Sequence, residues 1–417
     1  MTKRFRIFKS FKWLYPGMYV KRWIGVCIFG IFLVFAGSAK LFLVHLNINK
    51  YFNIGLIIIG ILFLAIGMKR IIVSIINILL PQKDSNSNLV DLVYKKRFLE
   101  KGPKIVTVGG GTGLSVLLHG LKEYTSNLTA IVTVADSGGS SGRLREQFDI
   151  LPPGDIRNCL VALADTESLM QDLFQFRFNK ESEFNGHNFG NLFITVMTKL
   201  TGDFERAIKE SSKVLAIRGQ VIPATLTSVN LGAEYTDGTS AEGEAEIPLK
   251  HKQIKRVYLK PEDPQATPEA IKAIKEADTI ILGPGSLYTS ILPNLLIKEI
   301  AQAIANSRAL KIYICNVMTQ PGETDGFTAS DHLQTLIKHV HPRIVNWCIV
   351  NNAKPPTDIL ERYRKENSYP IIIDSQKIKK AGCRVVEDDI INALNYVRHD
   401  SEKLAKIIIG LIEQEIL

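Results

Sequence analysis

The sequence predicts an α/β protein. It should hold a doubly wound, mostly parallel sheet with a β-meander inserted in it, preceded by a helical hairpin long enough to cross a membrane. Three observations carry that prediction. After residue 104, short apolar runs rich in β-branched residues alternate with helix-length amphipathic patterns, which argues for parallel strands with helices on both faces. Residues 221–257 break the rhythm with Gly232, Asp237-Gly238 and Gly243, the punctuation of an antiparallel meander. Residues 23–39 and 51–68 carry no charge, and each approaches the roughly 17 to 25 residues a spanning helix needs.

The hairpin comes first. Only residues 45–50 separate its two apolar runs, and Lys40 sits near the far end of the first, where its stem can snorkel to the headgroups. Residues 71–80 extend the second helix or lie along the membrane surface. Lys3, Arg4, Arg6, Lys9, Lys12, Lys21 and Arg22 precede the pair, and Lys69 and Arg70 follow it, so both flanks are expected in the cytoplasm. Two hydrophobic segments without a small-residue cleavage site argue against a removable signal peptide. Twelve of the 51 basic residues, and no acidic residue, fall in residues 1–83; the other 39 face all 41 acids, a net of −2. The overall charge of +10 therefore belongs to the anchor, where it suits anionic lipids, and no nucleic-acid partner is expected. Five scattered cysteines without C-x-x-C spacing fit a reducing compartment. The expected organisation is a membrane anchor over 1–83, a linker over 84–103 and a body over 104–417.

Within the body, strands are expected at residues 105–108, 130–134, 279–282, 311–315, 347–350 and 370–373. Helices are expected at 114–122, 167–178, 192–199, 204–215, 268–276, 297–306, 329–339, 357–365 and 402–413. Ser401 stands where it would cap the last of these.

Ligands of doubly wound sheets bind beyond the carboxyl ends of the strands, so the strand-end loops matter most. Gly109, Gly110, Gly111, Thr112 and Gly113 end the first strand and open a helix, leaving unhindered N–H groups suited to a phosphate. Their spacing is neither G-x-G-x-x-G nor the lysine-containing P-loop. The second loop, ADSGGSSGRLR, offers Asp136 for a ribose hydroxyl or a divalent cation. Ser137, Gly138, Gly139, Ser140, Ser141 and Gly142 add donors, and Arg143 and Arg145 add charge for phosphate. In LPPGDIRN, Asp155 is either a helix N-cap or a metal ligand or general base. His187 in NGHNFGN is a structural turn residue or an acid–base group. GPGSLYTS, with Gly283, Gly285, Ser286 and Thr289, and NVMTQPGET repeat the glycine, hydroxyl and amide chemistry. No Ser-His-Asp order, H-E-x-x-H or paired metal cysteines occur, which excludes the common hydrolase and zinc classes.

Together KIVTVGGGTGLSVLLHGLK, TVADSGGSSGRLR, PPGDIRNCLVALAD, HNFGNLF, LGPGSLYTSILPNLL and NVMTQPGETDGFTASDHL resemble the bacterial gluconeogenesis-factor (YvcK) family. That family is similar in turn to 2-phospho-L-lactate transferase, CofD. The resemblance implies a Rossmann-like core and makes residues 104–417 a cytosolic CofD-like nucleotide-binding domain. It places Gly109 to Gly113, Asp136, Asp155, Asn158 and Asn191 around the ligand. It also ties Tyr363 in ERYR and Arg398 in YVRHD to UDP-sugar binding. A tyrosine can stack on a base and an arginine can fork onto a diphosphate; the plainer roles are a half-buried helix residue and a salt-bridge partner. The implied ligand is a UDP-sugar such as UDP-N-acetylglucosamine. The implied role is support of cell shape and envelope precursor supply, without a covalent cofactor, in a homo-oligomer with an envelope-synthesis protein as partner. The alternative is a transferase that moves a 2-phospholactate-like group from a nucleotide diphosphate to a deazaflavin-type acceptor, with Asp136 and Asp155 holding Mg²⁺. The hairpin departs from the family pattern, many of whose members start at the glycine-rich strand.

Overall fold

The computed structural model describes residues 20–43, 50–79, 98–165, 168–179, 184–393 and 396–416. The chain divides into two compact units, Met1–Leu92 and Val93–Leu417.

The first unit holds helices Val20–Leu43 and Lys50–Leu79. Within them, Arg22–Ala39 and Tyr51–Val73 are long and apolar enough to cross a membrane, by length and composition. The two helices touch backbone to backbone: a Cβ on Gly30 would lie 2.8 Å from the Gly60 carbonyl oxygen, so only glycine permits the approach. Phe29 and Phe63 meet edge to face at 5.7 Å, while Phe32, Phe35, Ile61 and Leu62 remain exposed. Residues 71–79 extend the second helix, so Lys69 and Arg70 lie inside it rather than beyond its end. The Arg70 guanidinium stands 5.3 Å over the Trp23 ring, tying the start of one helix to the late turns of the other. The basic residues ahead of Val20, the Lys40 side chain and most of the expected linker lie outside the described residues.

The second unit is built on seven parallel strands: β1 (Ile105–Gly109), β2 (Leu128–Val132), β3 (Gln220–Pro223), β7 (Thr279–Leu282), β8 (Leu310–Ile314), β9 (Trp347–Asn351) and β10 (Arg384–Asp388). Their order is β10-β9-β8-β7-β1-β2-β3. β1, β2 and β7 are buried along their whole length, as near-continuous apolar runs covered on both faces must be. From β1 the chain winds outward through β2 to β3; from β7 it winds the other way through β8 to β10. The reversal between β1 and β7 is the switch point where a crevice opens beyond the strand ends. A three-stranded antiparallel meander, β4 (Asn230–Tyr235), β5 (Ser240–Glu242) and β6 (Ile254–Lys260), interrupts the winding. A small hairpin, β11 (Ile391–Ala393) and β12 (Val397–His399), precedes the last helix, Ser401–Ile416.

The fold class is as the sequence predicts, with local corrections. Residues 221–223 belong to β3, which pairs parallel with β2; Pro223 is tolerated because β3 is an edge strand, and the meander starts only at Asn230. The strand expected at 370–373 does not form: Pro370 and Ile372 make single bridges to Met318 and Thr328. The seventh strand is β10, whose RVVED pattern is half exposed on the opposite edge and carries no apolar run to reveal it. The loop expected over 135–145 winds instead into helix Gly139–Phe148, while the helix start that LPPGDIRN announces at Asp155 forms as helix Gly154–Leu163. The last helix is capped by Asp400, whose Oδ1 accepts from the Glu402 and Lys403 N–H groups at 3.0 Å, and not by Ser401. All five cysteines are free.

Candidate functional site

The site starts from the turn after β1. Gly110 is extended, and Gly111, with φ +67°, opens helix Gly111–Leu121. A Cβ on Gly110 would fall 2.4 Å from Asp155 Oδ2 and 2.7 Å from Thr133 Cγ2; one on Gly113 would fall 2.7 Å from the Pro284 carbonyl oxygen. The loops after β1 and β7 therefore interlock across the switch point, and side chains are excluded where they meet. Asn294, fully buried, fastens the junction by donating to the Gly109 carbonyl at 3.1 Å and the Ser290 carbonyl at 2.8 Å.

Above this junction lies a cleft of about 500 Å³, a size usual for small-molecule sites. Of the residues expected in the site, Gly110, Gly111, Thr112, Gly113, Gly285, Ser286, Tyr363 and Arg398 line it, while Gly109 and Gly283 end the strands beneath. In the lining, Tyr363 is half-buried on helix Thr357–Lys365, packed with Val317, Met318 and Val397. Its hydroxyl accepts from the Val397 N–H at 3.1 Å, which pins β12. The neighbouring Arg398 stacks over the Tyr396 ring at 5.7 Å. Among the described residues it has no carboxylate partner, so the salt-bridge role is not the one it plays; arginine ion pairs form instead at Arg218, Arg256 and Arg384. His399 also lines the cleft and donates from Nε2 to the Cys315 carbonyl at 3.3 Å; burial holds it neutral, down to about 4.

Four carboxylates gather here, Glu244 and Glu323 in the cleft lining and Asp136 and Asp155 beside it. Asp155 is not an N-cap: Pro153 holds that position without a side-chain cap, and Asp155 reaches across to accept from the Gly111 N–H. Burial, then Asp136, push it up to about 7. Glu244, carried in by the meander, is pushed up to about 8 by burial and then by Asp136, Asp155 and Glu323. Glu323 rises to about 7 through burial, against the stabilising hydroxyls of Ser286 and Thr289. Glu244 and Glu323 were not singled out from the sequence. Glu244 stands among other acids in AEGEAE and offers no local signal, whereas Glu323 lies in NVMTQPGET, a strand-end loop already marked by its chemistry.

The remaining expected residues sit beside the cleft rather than in its lining. Asp136 Oδ1 accepts from the Gly138 N–H at 2.8 Å, and Ser137 Oγ accepts from the Ala245 N–H at 3.3 Å, so the meander covers this turn. Gly139 begins a helix in which Arg143 points to the Asn185 carbonyl at 2.8 Å. Asn191 donates to Ser140 Oγ at 3.1 Å, and Asn188 N–H donates to the same oxygen at 3.3 Å. That leaves the Ser140 proton for His187 Nδ1 at 3.2 Å. His187 is held neutral by burial and by Arg143, which fits the structural reading of the two. Asn158 Oδ1 accepts from Arg157. Among the described residues no group of three or more His, Cys, Asp or Glu is arranged to hold a metal ion. The Asp136–Asp155 pair fits the fewer carboxylates that Mg²⁺ uses when phosphates and waters complete its shell.

Comparison with known proteins places these features. The family model of 2-phospho-L-lactate transferase CofD matches residues 105–391. The gluconeogenesis factor of Bacillus subtilis is 50% identical and covers 75% of this chain and 99% of its own length. A similarly named Nostoc protein is 48% identical over 97% of this chain and 93% of its own, a span that takes in the N-terminal helices. A crystal structure of a Bacillus halodurans protein, 50% identical, superposes with a TM-score of 0.73 and covers 74% of this chain and 100% of its own.

Proposed function

The chain belongs to the CofD family and, within it, to the gluconeogenesis factors, and on that premise we propose that it is a membrane-anchored, cytosol-facing protein that binds a UDP-sugar. One observation carries the reading most. Arg398 lines the same cleft as the glycine loops and, among the described residues, has no carboxylate partner; the glycine loops open a helix whose first N–H groups point toward a ligand. A diphosphate suits such a lining, with backbone donors from the loops and a planar guanidinium from Arg398. The ring of Tyr363 lies beside Arg398 for the base, and the acids and hydroxyls of Glu244, Glu323, Ser286 and Thr289 suit the hydroxyl-rich sugar. The two apolar helices support the anchor, and the Trp23–Arg70 contact fits two flanks on one membrane face. In this reading the protein senses nucleotide-sugar supply and supports envelope synthesis and cell shape, as a homo-oligomer.

The second reading, a Mg²⁺-dependent transferase, draws on the Asp136–Asp155 pair. Bound there, Mg²⁺ would neutralise charge on the diphosphate bridge as its P–O–P bond breaks and the nucleoside monophosphate leaves; the two carboxylates would hold the ion and the glycine loops would orient the phosphates. One experiment separates the readings. The full chain in detergent is titrated calorimetrically with UDP-N-acetylglucosamine, with and without Mg²⁺, and the recovered nucleotide is chromatographed. Saturable binding with the nucleotide intact is expected. Metal-dependent cleavage or transfer would move the protein to the enzyme class, and binding of guanosine nucleotides alone would defeat the UDP-sugar assignment.

A further inference from the structure

Arg143, Asn158 and Asn191 are expected around the ligand from the sequence, yet none of them lines the cleft. What they do share is a set of arginines. Arg143 donates from Nη2 to the Asn185 carbonyl at 2.8 Å, and Arg177 donates from Nη1 to the adjacent Gly186 carbonyl at 2.8 Å. A Cβ on Gly186 would lie only 3.1 Å from Arg143 Nη2, so both guanidiniums flank one turn. Arg157 enters from helix Gly154–Leu163: its methylenes pack against Gly190, its Nη2 bonds Asn158 Oδ1, and its buried Nε has no hydrogen-bond partner.

All three arginines bond only to neutral oxygens, and among the described residues none of them forms an ion pair. Like charges gathered this way repel, and a half-buried guanidinium with an unmade bond adds to the cost. The arrangement is relieved by a multi-oxygen anion, which the guanidinium fork recognises bidentately. Asp155 and Asp136 lie near enough to favour the charged Arg157, yet neither forms an ion pair with it: Asp155 bonds the Gly111 N–H, and Asp136 Oδ1 accepts from the Gly138 N–H.

We infer that Arg143, Arg157 and Arg177 form a second anion-binding station beside the glycine-loop cleft, which takes the phosphoryl or carboxylate group of a second small molecule. The station lies next to Asp155, whose carboxylate touches the first glycine loop, so an anion held there and a nucleotide held in the cleft would be neighbours. It goes beyond the UDP-sugar reading and does not depend on it.

The test uses the full chain in detergent, titrated calorimetrically with inorganic phosphate and, in a separate arm, with malonate, each in the absence and presence of saturating UDP-N-acetylglucosamine. The better of the two anions identifies the group the station takes. Arg157→Gln should weaken that anion about tenfold and the more exposed Arg177→Gln severalfold, the scale of losing a charge-assisted bond. UDP-N-acetylglucosamine affinity should stay within about twofold in both variants, since neither residue lines the cleft. Arg398→Ala should do the reverse. Thermal unfolding of each variant separates lost binding from lost folding, and Arg177→Gln, at a surface position, carries the test if Arg157→Gln unfolds. The station is refuted if neither anion binds, if both variants bind like the parent, or if UDP-N-acetylglucosamine displaces the anion and Arg398→Ala weakens it. Arginine-dependent anion binding without any UDP-sugar binding would keep the station and sink the nucleotide assignment.

Discussion

The turns after β1 and β2 look alike as sequence, GGGTG and SGGSSG, and the structure uses them differently. The first keeps two of its glycines at a junction where an added Cβ collides: with Asp155 and Thr133 at Gly110, with Pro284 at Gly113. The second turns into a helix at Gly139, where a Cβ would meet nothing within 4 Å, and its neighbours are covered by the meander. Gly110 and Gly113 in the first turn are there for close approach, whereas Gly139, like Gly111, supplies a positive φ, here 49°. The contrast teaches that a glycine-rich strand end is evidence for a ligand cleft only when a second strand-end loop packs against it.

The largest expected effect breaks the first turn. Gly110→Val puts a branched side chain where Asp155 and Thr133 already stand, an overpacking that costs about 3 kcal/mol. Denaturant unfolding should show that loss, and UDP-N-acetylglucosamine binding should disappear at 25 °C. A variant that binds normally would show that the junction is looser than its distances imply.

Arg398→Ala comes next. It removes a cleft-lining cation while leaving the fold intact, so nucleotide-sugar binding should weaken by about 1 to 3 kcal/mol, the scale of a charged hydrogen bond. Titration should show the loss in affinity with an unchanged unfolding midpoint. Unaltered affinity would remove the diphosphate from this end of the cleft.

The acids beside the first turn set a pH dependence. Glu323 is raised to about 7 when folded and titrates near 4.3 when unfolded. Between those values the folded chain holds the extra proton, so stability falls as pH rises from about 5 to about 7 and then levels off. Glu244, raised to about 8, adds a slope of the same sign. Glu323→Gln should therefore lessen the drop in unfolding midpoint between pH 5.5 and 7.5 without removing it, an effect on the order of 1 kcal/mol. An unchanged drop would mean that Glu323 is ionised throughout.

Much of this was legible in the sequence where local chemistry decides the outcome. β1 and β7 announce themselves as apolar runs that stop at glycine. Helices Pro268–Glu276, Ala329–His339 and Thr357–Lys365 fall where expected, the first opened by proline and the second by a capping box of Thr328 and Asp331. β3 and β10 were missed because edge strands need only half an apolar pattern, and β10 is held by pairing with β9. Glu244, Arg157 and Arg177 were missed for a different reason. Each is an ordinary charged residue in its own segment, and its meaning arises only from what the fold brings beside it.

The smallest prediction sharpens the comparison most. Gly139→Ala adds a methyl group in open space at a φ of 49°, so the only penalty is backbone strain, about 1 kcal/mol. Thermal unfolding should shift by a few degrees or less, and UDP-N-acetylglucosamine affinity should hold within about twofold. Paired with the Gly110 variant, this separates two roles that composition cannot tell apart. If Gly139→Ala abolished nucleotide-sugar binding while folding normally, the second turn would contact the ligand directly, and the cleft would have to extend over Asp136 to include it.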